Sequence, residues 1–262
     1  MERVEPGVYL IAETKLDQAP LQEYLEQIGA PGWDSPDCTD GEKLVEFMGR
    51  QCYRSFAVGL NPNVGRIREG NDVYLENVLA VKHGSILEHV QLSFVFHNIS
   101  RVFTHELVRH RVGVAISQES LRYVRLDNLR MWFPPCIADD PEVERRATLL
   151  VEELEAFQLW LAAHYDIENL KSFAKKKKLT SAFRRFAPIG LATSIGWSAN
   201  IRTLRHVIAM RTSKHAEVEI RVVFDAVAAM LVEKYPNFFG DFTRVPDKKG
   251  PLGEWITPNG KV

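Results

Sequence analysis

Three short stretches gather cationic and ionisable side chains beside hydroxyls and apolar residues. In RHRVGVAISQESLRY, Arg109, His110 and Arg111 stand side by side, ahead of a small apolar run and a hydroxyl-rich turn. A bare cluster of this kind repels itself, so it suggests an anion. In HGSILEH, the side chains of His83, Ser85, Glu88 and His89 crowd the junction between two elements. In NIRTLRHVIAMR, Arg202 and His206 are i,i+4 neighbours, while Ile201, Leu204 and Ile208 form an apolar stripe whose next position is Arg211. An arginine pointing where a leucine is expected must meet an anion or a polarisable oxygen, because an unpaired buried guanidinium is strongly destabilising. Either a ligand or a salt bridge to Glu217 or Glu219 just downstream satisfies it. Each cluster alone has a bland structural reading; three in one chain point to a shared ligand.

Other chemistries fit poorly. HELVRH places His105 and His110 five residues apart, about 140° around a helix axis, so the two cannot hold zinc on one face as an i,i+4 pair does, and no metal site is expected. The glycine patterns of the Rossmann and P-loop phosphate sites are absent from the sequence. The lysine run 175 to 178 reads as a solvated turn before a helix. With 45% apolar and 26% charged residues and a net charge of −1, the 262-residue chain has no global bias toward nucleic acid or an anionic membrane, so an anion site must be local. Three cysteines without paired spacing suit a reducing compartment, and no window reaches the apolar length of a membrane span, so the expectation is a soluble, cytoplasmic protein.

Positioning elements can be read around the clusters. GVYLIAE is strand-like within an otherwise irregular entry segment, residues 1 to 44. GEKLVEFMGRQCYRSF is helical, NDVYLENVLAVKHG is a helix ending at Gly84, and HVQLSFVFH is a strand. Ser100 caps a helix over SRVFTHELVRH, Asp140 with Pro141 starts the long helix that follows, and LTSAFRRFAP is helical. GLATSIGWSAN is a strand, and its Asn200 caps IRTLRHVIAMR. AEVEIRVVFDAVAAMLVEKY is a long helix, and the Pro- and Gly-rich tail from 236 to 262 has no regular element. The sum is a helix-heavy α+β chain, taken as one domain over 1 to 262 with a core near 45 to 235.

In this order, the blocks resemble the flavin-dependent thymidylate synthase family. HGSILEH is similar to its His-Glu-Ser-Pro-Leu-Glu-His segment, RHRVGVAISQESLRY to its Arg-His-Arg and Ser-x-Arg-Tyr signature, SANIRTLRHVIAMRTSKHAEVEIR to its C-terminal block, and CYRSF to its early Ser-Phe element. The resemblance implies helices around a small, mostly antiparallel sheet, and a homotetramer with active sites between subunits. It implies FAD as cofactor and conversion of dUMP to dTMP, with methylenetetrahydrofolate as carbon donor and NADPH as reductant. Ser55, Ser85, Arg109, His110, Arg111, Gln118, Asn200, Arg202 and His206 match flavin contacts. Glu106, Arg109, Gln118, Ser120, Leu121, Arg122, Arg184 and Arg211 match nucleotide contacts, and His83 matches a residue on the folate side. Arg211 and Ser120 match catalytic positions, Arg211 by stabilising negative charge that develops on the uracil.

The chain departs from the pattern at three places. Eight residues, Val112 to Glu119, stand between Arg111 and Ser120 where the family usually has seven; Ile86 replaces a proline; and Glu106 replaces a glutamine. A carboxylate at 106 repels a nucleotide phosphate unless Arg109 or Arg101 neutralises it. The residues leave open a related enzyme acting on another pyrimidine nucleotide, and a flavin- or nucleotide-binding paralogue without turnover.

Overall fold

The computed structural model describes residues 1–123, 126–248, 250–260 and 262. Its strands are β1 (Glu2–Arg3), β2 (Gly7–Glu13), β3 (Gln91–Ser100), β4 (Val114–Gln118), β5 (Arg130–Met131), β6 (Ala192–Asn200), β7 (Thr243–Pro246) and β8 (Gly253–Ile256). The helices are α1 (Gln18–Gln27), α2 (Asp40–Tyr53), α3 (Asn71–Ala80), α4 (Arg101–Leu107), α5 (Pro135–Ala138), α6 (Pro141–His164), α7 (Phe173–Phe183), α8 (Ile201–Arg211), α9 (Val218–Lys234) and α10 (Pro236–Phe239). The expected α+β class is therefore observed.

The central sheet runs β2-β3-β6-β4, each pair antiparallel. Side chains on successive strand residues point to opposite faces, and β3 and β6 use that alternation over residues 92–96 and 193–199. Leu92, Phe94 and Phe96 of β3 and Ile195, Trp197 and Ala199 of β6 are almost fully buried. They pack on Phe224 of α9, whose ring centroid lies 6.0 Å from Phe96 and 5.9 Å from Trp197. The opposite face carries half-buried polar side chains, among them Ser93 hydrogen-bonded to Ser198 at 2.7 Å.

Two helices leave this sheet through side-chain caps. Ser100 Oγ accepts from the Phe103 N–H at 3.1 Å and starts α4, and Asn200 Oδ1 accepts from the Thr203 N–H at 2.8 Å and starts α8. Both caps are those expected from sequence. Since Gln91 pairs with Asn200 and Ser100 with Ala192, α4 and α8 begin at opposite ends of the sheet. The chain then returns from α4 through β4, whose Val114 pairs with Ala199 and Gln118 with Ile195. Helix α4 and strand β4 thus form a hairpin beside β6.

Four expectations need correction. The entry segment contains β2 and the capped helix α1 and is not irregular. The lysine run lies inside α7, because Ser172 caps that helix ahead of the run and lysine is a good helix former. The small apolar run between Arg111 and Ser120, for which no strand is read from the sequence, is largely the strand β4. The tail forms α10, with Pro236 at its first position where no N–H is needed, and the hairpin β7-β8. Phe238, Phe239, Phe242, Trp255 and Val262 of this tail join the main core. A smaller apolar cluster, including Leu121, Leu129, Met131 and Val151, lies by α6. Among the described residues no helix is long and apolar enough to cross a membrane.

Candidate active site

The N-cap of α8 meets the turn after α4 at a glycine. Gly113 has φ of +68°, a left-handed conformation that side chains rarely adopt, and its carbonyl accepts from the Asn200 N–H at 3.0 Å. A Cβ there would lie 2.3 Å from Asn200 Nδ2 and 2.7 Å from Thr203 Oγ1. Thr203 Oγ1 in turn donates to the Val112 carbonyl at 2.8 Å. The result is a backbone junction that sets Arg109, His110 and Arg111 against the first turn of α8. Gly113→Ala is expected to lower stability by about 1–3 kcal/mol through strain and disruption of the cap, as read by chemical denaturation.

Beside this junction is a cavity of about 410 Å³ lined by Glu88, Arg109, His110, Arg111, Asn200, Arg202 and His206. One wall therefore comes from each of the three sequence clusters. Arg202 Nη1 donates to Glu88 Oε1 at 2.6 Å, and Arg109 and Arg111 are exposed cations of the same lining. The remaining lining includes Gly260 and Val262. Sequence reasoning missed this contribution from the tail; the aromatic residues Phe238, Phe242 and Trp255, which bury it, were the available signal.

Arg211 is buried, as its place on the apolar stripe predicts, but its partner is neither Glu217 nor Glu219. Glu217 caps α9, accepting from the Glu219 N–H at 2.8 Å, and Glu219 accepts from the Ser100 N–H at 2.6 Å. Arg211 instead crosses to α4 and the turn after it. Its Nη1 donates to Glu106 Oε2 at 2.7 Å, its Nη2 to the Glu106 carbonyl at 3.0 Å, and its Nε to His110 Nε2 at 2.8 Å. Glu106 is thus neutralised chiefly by Arg211, with Arg109 more distant at 3.7 Å, and Arg101 takes no part among the described contacts. A second hollow, of about 520 Å³, is lined by His206, Arg211, His215 and Glu254. His206 borders both hollows.

His110 accepts from a guanidinium, which requires the neutral imidazole with its proton on Nδ1. Burial, then the neighbouring charges of Arg211 and His206, lower its pKa to about 4. Below the ordinary value of 6.5 the unfolded chain takes up a proton that the folded chain refuses until about pH 4. This contribution to stability is complete above pH 6.5 and is lost as the pH falls through that window. Thermal unfolding should therefore show a steeper fall in Tm between pH 6.5 and 4 for the wild type than for His110→Gln.

Other anticipated residues lie elsewhere. Gln118 donates to Thr104 Oγ1 at 3.3 Å, tying the end of β4 to α4. Ser120, Arg122 and Tyr123 form the turn that follows, in which Ser120 Oγ accepts from the Arg122 N–H at 3.3 Å. Leu121 is buried in the cluster by α6, so only its backbone can face a ligand. Arg184 opens a short 3-10 turn after α7 and is exposed. The five residues of β4, at about 3.3 Å each, hold the Ser120 end roughly 15 Å or more from Gly113. Within a single chain the Arg109–Arg111 cluster and the Ser120 turn are therefore held apart. Ser55, His83 and Ser85 also do not line the cavity. The Ser55 carbonyl accepts from Arg50 Nη1 at 2.7 Å, and His83 stacks on Tyr53 with centroids 6.5 Å apart. Among the described residues no group of three or more His, Cys, Asp or Glu side chains is placed to hold a metal ion.

Fold and cavity define a class: an α+β protein whose antiparallel sheet sets a capped helix against a cationic turn. The Thy1 family, described as "Thymidylate synthase complementing protein", matches residues 36–237. The flavin-dependent thymidylate synthase of Mycobacteroides abscessus is 40% identical over 216 residues, covering 79% of this chain and 82% of the relative. That of Mycobacterium marinum is 36% identical over 238 residues, covering 90% and 89%. The chain belongs to this family. Among solved structures, a UMP/dUMP methylase, PolB, from Streptomyces cacaoi bound with 5-Br dUMP aligns with TM-score 0.61 at 15% identity, over 92% of this chain and 96% of that one. Thymidylate synthase X from Helicobacter pylori with FAD and dUMP aligns with TM-score 0.54 at 22% identity, over 76% and 93%. At these identities the likeness is one of fold.

Proposed function

We propose that the protein is a flavin-dependent thymidylate synthase, converting dUMP to dTMP with methylenetetrahydrofolate as carbon donor and NADPH as reductant. The observation that carries this reading is the convergence of the three sequence clusters on one cationic cavity, with Arg211 held at its flank. The residues fit FAD: Arg109, whose contact with Glu106 is long at 3.7 Å, and the exposed Arg111 offer guanidinium donors for a pyrophosphate, and His110, Asn200, Arg202 and His206 line the same space. Bound FAD supplies the redox chemistry, so no cysteine nucleophile is required. Neutral His110 holds the Arg211 side chain through its Nε, and Glu106 holds it through Nη1, which fixes the direction of the positive charge. Arg211 then stabilises negative charge developing on the uracil ring.

The Ser120–Arg122 turn and Arg184 take the nucleotide phosphate, and Gln118 stands at the entry to that turn. Since β4 separates this turn from the cavity of its own chain, the complete site is shared between chains, in keeping with a homotetramer. Ser55, Ser85 and His83 reach flavin or folate in that assembly. Tritium release from 5-tritiated dUMP in the presence of methylenetetrahydrofolate and NADPH tests the proposal. Release from dUMP at a rate well above that from UMP is expected. A flavin-containing protein that releases nothing from dUMP would sink it, and faster release from UMP would transfer the activity to ribonucleotides.

A further inference from the structure

Behind the turn that follows β4, between α6 and α7, lies a cavity of about 160 Å³ that shares no residue with the two hollows beside α8. Its walls are mainly apolar: Leu121 on the inner side of the turn, Leu159 and Ala162 of α6, Ile167 of the connection and Phe183 of α7. An apolar space of about 150 Å³ takes one benzene-sized molecule. One polar side chain interrupts this lining. Gln158 borders the cavity and is only 5% exposed. Its Nε2 donates to the Phe183 carbonyl at 3.1 Å, whereas no donor reaches its Oε1 among the described residues. That oxygen is not one of the described atoms sealed away without a partner, so it is reached from the cavity.

The hydroxyl of Thr180, also in the wall, is committed to carbonyls, among them that of Arg122 at 2.8 Å. A water is held firmly by two to four polar partners, and the interior offers one unused acceptor. A small aromatic ring with a single O–H or N–H donor satisfies both the apolar walls and that acceptor. Asp127 and Glu168 border the cavity and are exposed, so carboxylates stand at its mouth. An anionic ligand is therefore disfavoured by like charge as well as by burial. We propose that this cavity binds a neutral, phenol-sized aromatic with one hydrogen-bond donor, and that its occupancy strengthens nucleotide binding at the turn beside it. Leu121 is flanked in that turn by Ser120 and Arg122, and Thr180 holds the Arg122 carbonyl. A ring packed against Leu121 and Thr180 restrains the turn before the nucleotide arrives, and a preorganised turn binds more tightly. The nucleotide role of the turn rests on the function proposed above; the aromatic site does not.

Isothermal titration of the flavin-loaded protein with phenol, benzene and benzoate tests the site, and titration with dUMP in the absence and presence of saturating phenol tests the coupling. Saturable phenol binding is expected, about threefold to tenfold tighter than benzene through its one hydrogen bond, with no binding of benzoate. Ala162→Leu, which fills the space, should abolish phenol binding; Leu159→Phe, at an exposed wall residue, serves if that variant does not fold. Phenol should tighten dUMP by about fivefold, and dUMP should tighten phenol by the same factor, as linkage requires. Absence of saturable phenol binding, or binding that survives both filling variants, would overturn the site. Unchanged dUMP affinity at saturating phenol would overturn the coupling. If phenol binds and the filling variants block it while dUMP does not bind at all, the aromatic site stands and the thymidylate reading falls.

Discussion

Arg211→Ala is expected to retain flavin and to lose about a hundredfold to a thousandfold in turnover, the usual effect of removing one preorganised donor from developing negative charge. The side chain is organised before any substrate arrives. Its Nη1, Nη2 and Nε are each committed, to the Glu106 carboxylate, the Glu106 carbonyl and His110. A guanidinium held at three points cannot swing away, so in the proposed reaction its charge meets the electron-rich uracil without reorganisation. Arg211→Lys should recover only part of the loss, because one ammonium cannot span three acceptors fixed by a fork. Flavin absorbance of the purified variants and tritium release from dUMP separate the two roles. Retained turnover within about tenfold of wild type would remove Arg211 from catalysis.

What the sequence discloses about this site follows from locality. Ser100 and Asn200 are legible as caps because the side chain that caps a helix acts on the N–H three residues on. The burial of Arg211 is legible because the apolar stripe of α8 is set by the helical period. Its partner is not. The nearest acids in sequence are Glu217 and Glu219, yet the end of α8 meets α4 across the core, where Glu106 stands 105 residues away. Strand β4 is illegible for a different reason: it is a short edge strand, and Ala115, Ile116 and Ser117 are all exposed, so no alternation of polarity marks it. The lysine run of α7 hides its cap in the same manner, since the hydrophilic residues suggest a turn while Ser172, just upstream, begins the helix.

The tail shows how a long-range ion pair can create elements that composition disfavours, and it gives the second large effect. Arg205→Ala should destabilise the protein by about 3–5 kcal/mol, the cost of leaving one member of a buried ion pair alone. At about 2–4 °C per kcal/mol for a chain of this size, that is a fall in Tm on the order of 10 °C. Arg205 is almost fully buried in α8, between the exposed side chains of Arg202 and His206 in the helical sequence. Its two terminal nitrogens each donate at 2.7 Å to the oxygens of Asp241, and it also donates to the Phe238 carbonyl. Its guanidinium lies 4.9 Å from the centroid of the Phe242 ring. Asp241 in turn accepts from Thr257 Oγ1 and from Asn259 Nδ2, so a single guanidinium anchors both ends of the tail and holds Gly260 and Val262 against the cavity. The variant should therefore also bind flavin more weakly, although Arg205 does not line that cavity. Pairing Arg205→Met with Asp241→Leu should recover part of the stability, because the double replacement leaves no buried charge unpaired. Thermal unfolding of the single and double variants measures the coupling; if Arg205→Ala lowers Tm by only a degree or two, the tail is held by its aromatic residues and not by the ion pair.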